Sequence, residues 1–163
     1  MSREVLIVGA GPVGLTAALM LARHNVPFRI IDKNETPTTL SNALIIWKRT
    51  LQTLDPMIPW EVFDEGHIRA TFMEFIHHGE CAMKIDVQAT QQLIPSGILV
   101  PQCNTEAILA ETLNRMGITV ERNTELTSFT QAESHVTCEL SSGETITVSI
   151  PDKYVNCPFL TSS

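Results

Sequence analysis

The chain begins with an apolar run, Val5-Leu6-Ile7-Val8, followed at once by Gly9, Gly11 and Gly14 in the spacing G-x-G-x-x-G. No other feature narrows the possible folds so far. A short run rich in β-branched residues, with no polar member, suits a strand buried on both faces of a parallel sheet. From Pro12 the pattern turns helical, with Leu15, Ala18, Leu19 and Ala22 on one side, a proline tolerated in the first turn and Asn25 placed for a left-handed stop. This predicts a helix over about 12–24. Phe28-Arg29-Ile30-Ile31 returns as a second strand ending in Asp32. Strand, helix and strand close within about 30 residues, as βαβ units do.

In that setting each glycine has its own task. Gly9 allows the sharp turn out of the strand, Gly11 lets a pyrophosphate approach the backbone, and Gly14 lets the helix pack closely on the sheet. First-turn N–H groups, those of Val13 and Gly14, would face phosphates with the helix dipole behind them. Asp32 stands eighteen residues beyond Gly14, placed to accept hydrogen bonds from an adenosine ribose. Together these residues predict a site for an ADP-containing dinucleotide. By themselves they leave FAD and a nicotinamide both open.

After a polar loop, Leu44, Trp47, Leu51 and Leu54 recur at helical spacing up to Asp55-Pro56, predicting a second helix. Segments 68–76 and 81–87 are strand-like and joined by His77-His78-Gly79-Glu80, a hairpin, with a polar loop through Pro95-Ser96-Gly97 behind it. Asn104 is placed to cap a third helix with apolar positions Ala107, Ile108, Ala110, Leu113 and Met116, stopped by Gly117. Ile118-Thr119-Val120 is expected as a third parallel strand. Segments 125–129, 135–140 and 145–150 then read as an antiparallel meander, with Val136, Cys138, Leu140 and Ile146, Val148, Ile150 alternating onto one buried face. Tyr154 to Cys157 is placed to rejoin the parallel sheet. A nicotinamide domain would bring its next βα unit promptly after Asp32. The long excursion here, and a meander in place of a crossover helix, favour FAD.

Composition removes several other classes. The 163 residues make about one domain, and 44% hydrophobic with 18% charged residues is the make-up of a packed core. Eighteen acidic against eleven basic residues leave a net charge of -7, and no basic cluster exceeds Lys48-Arg49. Nucleic acid and anionic membranes are therefore poor partners. Cys81, Cys103, Cys138 and Cys157 show no two-residue gap and read as reduced, buried small hydrophobes of a cytoplasmic chain. His24, His67, His77, His78 and His135 are scattered, so no metal site is expected. Residues 5–22 carry no charge, but Gly9, Gly11, Pro12 and Gly14 interrupt them, so neither a targeting segment nor a membrane anchor is expected. Trp47, Trp60 and Phe75 are expected in core packing.

The stretch from Val5 to Thr16, Ile31-Asp32-Lys33, Ser41-Asn42-Ala43, Arg49-Thr50-Leu51 and Val100-Pro101-Gln102 together resemble the FAD-dependent aromatic hydroxylases, the phenol and p-hydroxybenzoate hydroxylase superfamily of flavoprotein monooxygenases. The likeness covers about residues 4–155. It implies an α/β fold with a Rossmann-like parallel sheet of the FAD-binding, glutathione reductase type, an antiparallel meander and a partial substrate-domain hairpin. It implies FAD as cofactor, NAD(P)H as electron donor and a small aromatic substrate. Gly9 would belong to the cofactor site as its turn glycine; Gly11, Val13 and Gly14 would hold the pyrophosphate, Asp32 the ribose, Lys33 the adenosine side and Gln102 the ribityl region; no catalytic residue is assigned. Two departures stand out. Asn42 replaces the arginine of the family's Ser-Arg-Ala motif, and Asn156-Cys157-Pro158 stands where a Gly-Asp pair is expected. The expectation is a truncated FAD-binding domain over 1–163, with 67–95 an inserted strand pair from an incomplete substrate domain whose Ile68, Phe72, Phe75 and Met83 are partly exposed and open to association. A non-catalytic dinucleotide-binding remnant, or an NAD(P)-dependent oxidoreductase, is the alternative.

Overall fold

The computed structural model describes residues 5–39, 45–86 and 94–150. The βαβ unit forms: strand β1 (Val5–Val8), helix α1 (Pro12–Arg23) and strand β2 (Phe28–Ile31), with β1 and β2 parallel and Val5 to Val8 paired in register with Phe28 to Ile31. Strand β1 is not buried on both faces as expected, Val5 to Ile7 being partly buried and Val8 54% exposed. Helix α1 buries Leu15, Ala18 and Leu19 and packs on both strands. It ends at His24, and Asn25 takes the left-handed conformation, φ 53°, because a short polar side chain tolerates that region.

The chain divides into two compact units, residues 1–37 with 113–163, and residues 38–112. The first holds the βαβ unit and the meander of strands β8 (Leu126–Gln131), β9 (His135–Leu140) and β10 (Thr145–Ser149), ordered β10-β9-β8 and antiparallel. Cys138, Leu140 and Ile146 turn inward from the meander onto Ile31, with Leu6, Leu126, Val136 and Val148 around them. Each fully buried aliphatic side chain there contributes about 1.5–3 kcal/mol. Alternation along β1 thus sends Leu6 to the meander, while Ile7 lies on the side of α1, its Cγ2 3.4 Å from where a Cβ on Gly14 would stand. Gly143, at φ 81°, makes the turn between β9 and β10.

The expected third parallel strand is reduced to one residue. Glu121, not 118–120, bridges in parallel to Ile31: its N–H donates to Ile30 O at 2.9 Å and its carbonyl accepts from Asp32 N at 2.9 Å. Arg29 locks this edge. Its guanidinium donates from Nε and Nη2 to Glu121 at 2.9 and 2.7 Å, and from Nη1 and Nη2 to Glu144 at 2.6 and 3.0 Å. One cation on β2 thereby ties the bridging segment and the meander turn to the parallel pair.

In the second unit a hairpin forms, but over a shorter first strand than the expected 68–76: Ile68-Arg69 belongs to another sheet, and His77 and Glu80, expected in the connection, are paired. Strand β5 (Phe72–His77) pairs with β6 (Glu80–Asp86) around His78 and Gly79, both at positive φ, with a bulge between Phe75 and Ile76. Ile68, Phe72, Phe75 and Met83 are exposed at 70, 53, 46 and 48%, as the sequence suggested. Elsewhere the unit departs from expectation. Where one helix was expected from Leu44, strand β3 (Ile45–Trp47) precedes a shorter helix α2 (Lys48–Leu54), and a separate helix α3 (Trp60–Asp64) follows. Gly97, expected to end a loop, instead opens strand β7 (Gly97–Leu99), central between β3 and β4 (Ile68–Arg69). A Cβ on Gly97 would stand 3.2 Å from Ile45 Cγ2 and 3.3 Å from Trp47 Cε3, so glycine is what lets β3 cross so closely.

Helix α4 (Gln102–Arg115) starts directly after Pro101, which puts Asn104 inside its first turn and not at its cap. Leu109 and Leu113 are its buried apolar residues, whereas Ala107 and Met116 are exposed. Gly117, at φ 78°, stops it as predicted. Trp47 and Phe75 are half-exposed, and Trp60 lies 5.3 Å from the Arg69 guanidinium that covers its ring; none fills the core, a place taken by Phe63. Of the three cysteines among the described residues only Cys138 is buried, against expectation; Cys81 is exposed and Cys103 intermediate. Asn42, Val87, segment 154–157 and the position of the expected Gly-Asp pair lie outside the described residues. No helix among the described residues is long and apolar enough to cross a membrane.

Candidate functional site

The glycine turn shows its constraints directly. Gly9 sits at φ 97°, closed to most side chains. A Cβ on Gly14 would stand 1.9 Å from Gly9 O, so only glycine lets the first turn of α1 lie against the end of β1. Gly11, by contrast, is the N-cap at φ -76° and ψ -177°, a backbone open to any residue. Its missing side chain therefore meets no backbone demand.

Helix α1 has no side-chain cap, no acidic residue in its first turn, and its ladder starts with Leu15 N donating to Gly11 O at 2.9 Å. The amides of Val13 and Gly14 precede that bond, so they have no acceptor within the helix and carry the positive end of its dipole. The Val13 side chain is 84% exposed, leaving this end of the helix open.

Beside the turn lies a cleft of about 320 Å³ lined by Val8, Gly9, Asp32, Lys33, Asn34, Thr124, Glu125 and Leu126. It opens past the carboxyl ends of β1 and β2, where α/β sheets bind ligands. Asp32 borders it although only 8% exposed. Its Oδ2 accepts from Ala10 N at 2.7 Å and its Oδ1 from Asn34 N at 2.8 Å, while Arg122 Nη1 lies 3.5 Å from Oδ2. A buried carboxylate needs such donors. The opposite wall is zipped to the same residue, with Thr124 N donating to Asp32 O at 2.9 Å and Asn123 N to Asn34 O at 3.2 Å.

The structure thus brings together Gly9, Gly11, Val13, Gly14, Asp32 and Lys33. Gln102 belongs to the second unit, where it opens α4 and its amide donates to Glu106 Oε1 at 2.8 Å. Arg122, Asn34 and Thr124 were missed by sequence reasoning. The polar run Arg122-Asn123-Thr124 was the available signal, but only the Glu121 bridge shows that it faces Asp32.

A glycine turn opening a helix, an acid at the end of the second strand and a cleft between them define a dinucleotide-binding α/β domain. The family profile described as "FAD binding domain" matches residues 2–160, and the chain belongs to that family. It is 32% identical over 152 residues to 6-methylpretetramide 4-monooxygenase of Streptomyces rimosus, covering 91% of this chain and 27% of that protein. Among solved structures it is similar to p-nitrophenol 4-monooxygenase PnpA of Pseudomonas putida DLL-E4, with a TM-score of 0.75, 22% identity and coverage of 91% of this chain and 39% of that one. It is also similar to the Diels-Alderase PyrE3 of pyrroindomycin biosynthesis, with a TM-score of 0.76, 23% identity and coverage of 90% and 31%. The chain spans less than a third of the curated relative's length. The resemblance to FAD-dependent aromatic hydroxylases read from the sequence is borne out at the level of family and relatives.

Proposed function

We propose that this chain is the FAD-binding part of an NAD(P)H- and oxygen-dependent flavoprotein monooxygenase acting on a small aromatic substrate. Its sheet, two parallel strands and the Glu121 bridge, is read as the core of a Rossmann-like fold of the glutathione reductase type. The observation that carries the reading is the glycine turn, with the Asp32 cleft beside it, in a chain matched over 2–160 by an FAD-binding family. The residues of the first unit fit the cofactor's ADP part: Gly11 and the Val13 and Gly14 amides would hold the pyrophosphate, Asp32 the adenosine ribose and Lys33 the adenosine side, while the ribityl role of Gln102, in the second unit, is proposed from the family resemblance alone. When bound, FAD supplies the redox chemistry that activates oxygen. The chain's own residues bind and orient: amides neutralise phosphate charge, and Asp32, itself fixed by Ala10 and Asn34, accepts from ribose hydroxyls.

Residues 67–95 are read as a strand pair belonging to a substrate domain. The likeness to a Diels-Alderase fold keeps a second reading in view, a dinucleotide-binding unit serving other chemistry, since one fold hosts many reactions. Purification followed by flavin absorbance and titration tests the first reading. A colourless protein that also ignores added FAD would sink it.

A further inference from the structure

We infer that Arg122 is a positioning residue for the adenosine ribose, acting through Asp32; this rests on the FAD-binding reading above. The two side chains meet at 3.5 Å with exposures of only 21% for Arg122 and 9% for Asp32, so their charges face each other with little water between. The backbone imposes the meeting. Glu121 is bridged to Ile31, Asp32 N donates to Glu121 O, and Thr124 N donates back to Asp32 O at 2.9 Å, which leaves Arg122 opposite Asp32 with no freedom of register. Asn123 at φ 54° turns the chain there, and Thr124 Oγ1 donates to Arg122 O at 3.1 Å.

Asp32 then has a division of labour. Oδ1 accepts from Asn34 N, and Oδ2 accepts from Ala10 N and faces Arg122. Each carboxylate oxygen can accept more than one donor, so the ribose hydroxyls find an acceptor whose direction is already fixed by two amides. Arg122 balances its charge and keeps the carboxylate from rotating out of line. Removing Arg122 would leave the buried Asp32 carboxylate without its counter-charge. The wall that carries Arg122 is therefore part of the nucleotide site, although Arg122 itself is absent from the lining of the cleft.

The test compares ADP with 2′,3′-dideoxy-ADP, by calorimetry, in the parent chain, Arg122→Gln and Arg122→Lys. The parent is expected to prefer ADP by about tenfold, as for hydrogen bonds to a charged group. Arg122→Gln should lose that preference while binding the dideoxy nucleotide as the parent does, and Arg122→Lys should recover part of it. A purely structural role would weaken both nucleotides alike, and that result, or an unchanged preference in Arg122→Gln, overturns the inference while leaving the FAD reading intact. A parent that binds neither ADP nor FAD overturns both. Should the variants fail to fold, ¹⁵N resonances of the Arg122 guanidinium in the parent decide: they should shift with ADP and stay still with the dideoxy nucleotide, and equal shifts would refute the role.

Discussion

The Asp32 carboxylate accepts a 2.7 Å hydrogen bond from the Ala10 amide, joining the end of the second strand to the middle of the glycine turn across 22 positions. The acid and the turn are therefore one unit. A substitution in either one acts on the other, so tests of the site must choose changes that leave this bond in place.

Gly11→Ala meets that condition. Position 11 has an ordinary backbone, so the variant should fold with the parent's melting temperature and fail at the ligand, where a methyl group meets the pyrophosphate. Overpacking of about 1–3 kcal/mol corresponds to roughly a fivefold to 150-fold loss of FAD affinity. Gly14→Ala should behave in the opposite way and lose stability first, because its Cβ would stand 1.9 Å from Gly9 O. Calorimetric titration and thermal unfolding of both separate the two effects. Parent-like FAD affinity in Gly11→Ala would refute the assignment of the turn.

Nucleotide choice is the second prediction. FAD should protect the chain from heat more than NAD or NADP at matched concentration, because only a ligand selective for the folded state shifts unfolding. At a hundredfold excess over Kd the gain is about 2.7 kcal/mol, or roughly 5–10 °C for a domain of this size. Greater protection by either nicotinamide, measured by scanning fluorimetry, would favour the rival cofactor.

How much of this was legible beforehand follows from how local each cue is. The βαβ unit and its acid depend on residues within one short stretch, and the structure reproduces them with α1 at Pro12–Arg23 and β2 ending beside Asp32. The meander, too, could be read from its period of two. Strands β3 and β7 could not. Ile45-Ile46-Trp47 continues into a helix without punctuation, and Gly97 resembles a loop until the pairing shows it opposite Trp47, where any Cβ on it would stand 3.3 Å from Trp47 Cε3. Asn104 misled because Pro101, three residues earlier, already opens the helix. The partners of Asp32 were hidden for the same reason as β7, since Ala10 and Arg122 reach it only through tertiary pairing.

Acid stability supplies a third prediction. The hydrogen bond from Arg29 holds the Glu144 carboxyl below its ordinary value of 4.5, and the hydrogen bond from Arg69 does the same to Asp64, from 3.8. A depressed folded-state pKa means that the unfolded chain binds the proton first, so this stabilisation is complete above the unfolded value and disappears as pH falls through the folded one. The melting temperature should therefore drop as pH falls below about 4.5, and Glu144→Gln should shrink the drop. Arg29 itself stays protonated throughout, raised by its hydrogen bonds to Glu121 and then Glu144. Identical pH profiles for parent and Glu144→Gln would show that the Arg29 cluster is not linked to folding.

Thiol chemistry gives a fourth. Cys138 is 6% exposed, and burial pushes its thiol pKa up, so little of the reactive thiolate forms there. Cys81 lies exposed on β6. Brief alkylation of the native chain with iodoacetamide, followed by peptide mass spectrometry, should modify Cys81 and spare Cys138 until denaturant is added. Modification of Cys138 at the rate of Cys81 would mean that the Ile31 cluster opens freely.

The last prediction is that the 163-residue chain, supplied with FAD, NADPH and a panel of phenols, yields no hydroxylated product. Oxygen transfer to a ring requires a reacting centre closed to water and held beside the bound aromatic. What the first unit offers is a cleft of about 320 Å³ at the glycine turn and Asp32, the adenosine end of the proposed ligand. In the second unit the hairpin leaves Phe75 and Met83, a cross-strand pair on one face, 46 and 48% exposed. The chain also spans only 27% of the length of its Streptomyces relative. Electrons drawn from NADPH should therefore leave as hydrogen peroxide, and an assay that measures peroxide and hydroxylated phenol together reads the partition. Hydroxylation in step with NADPH oxidation would show that residues 1–163 enclose a complete oxygenating site.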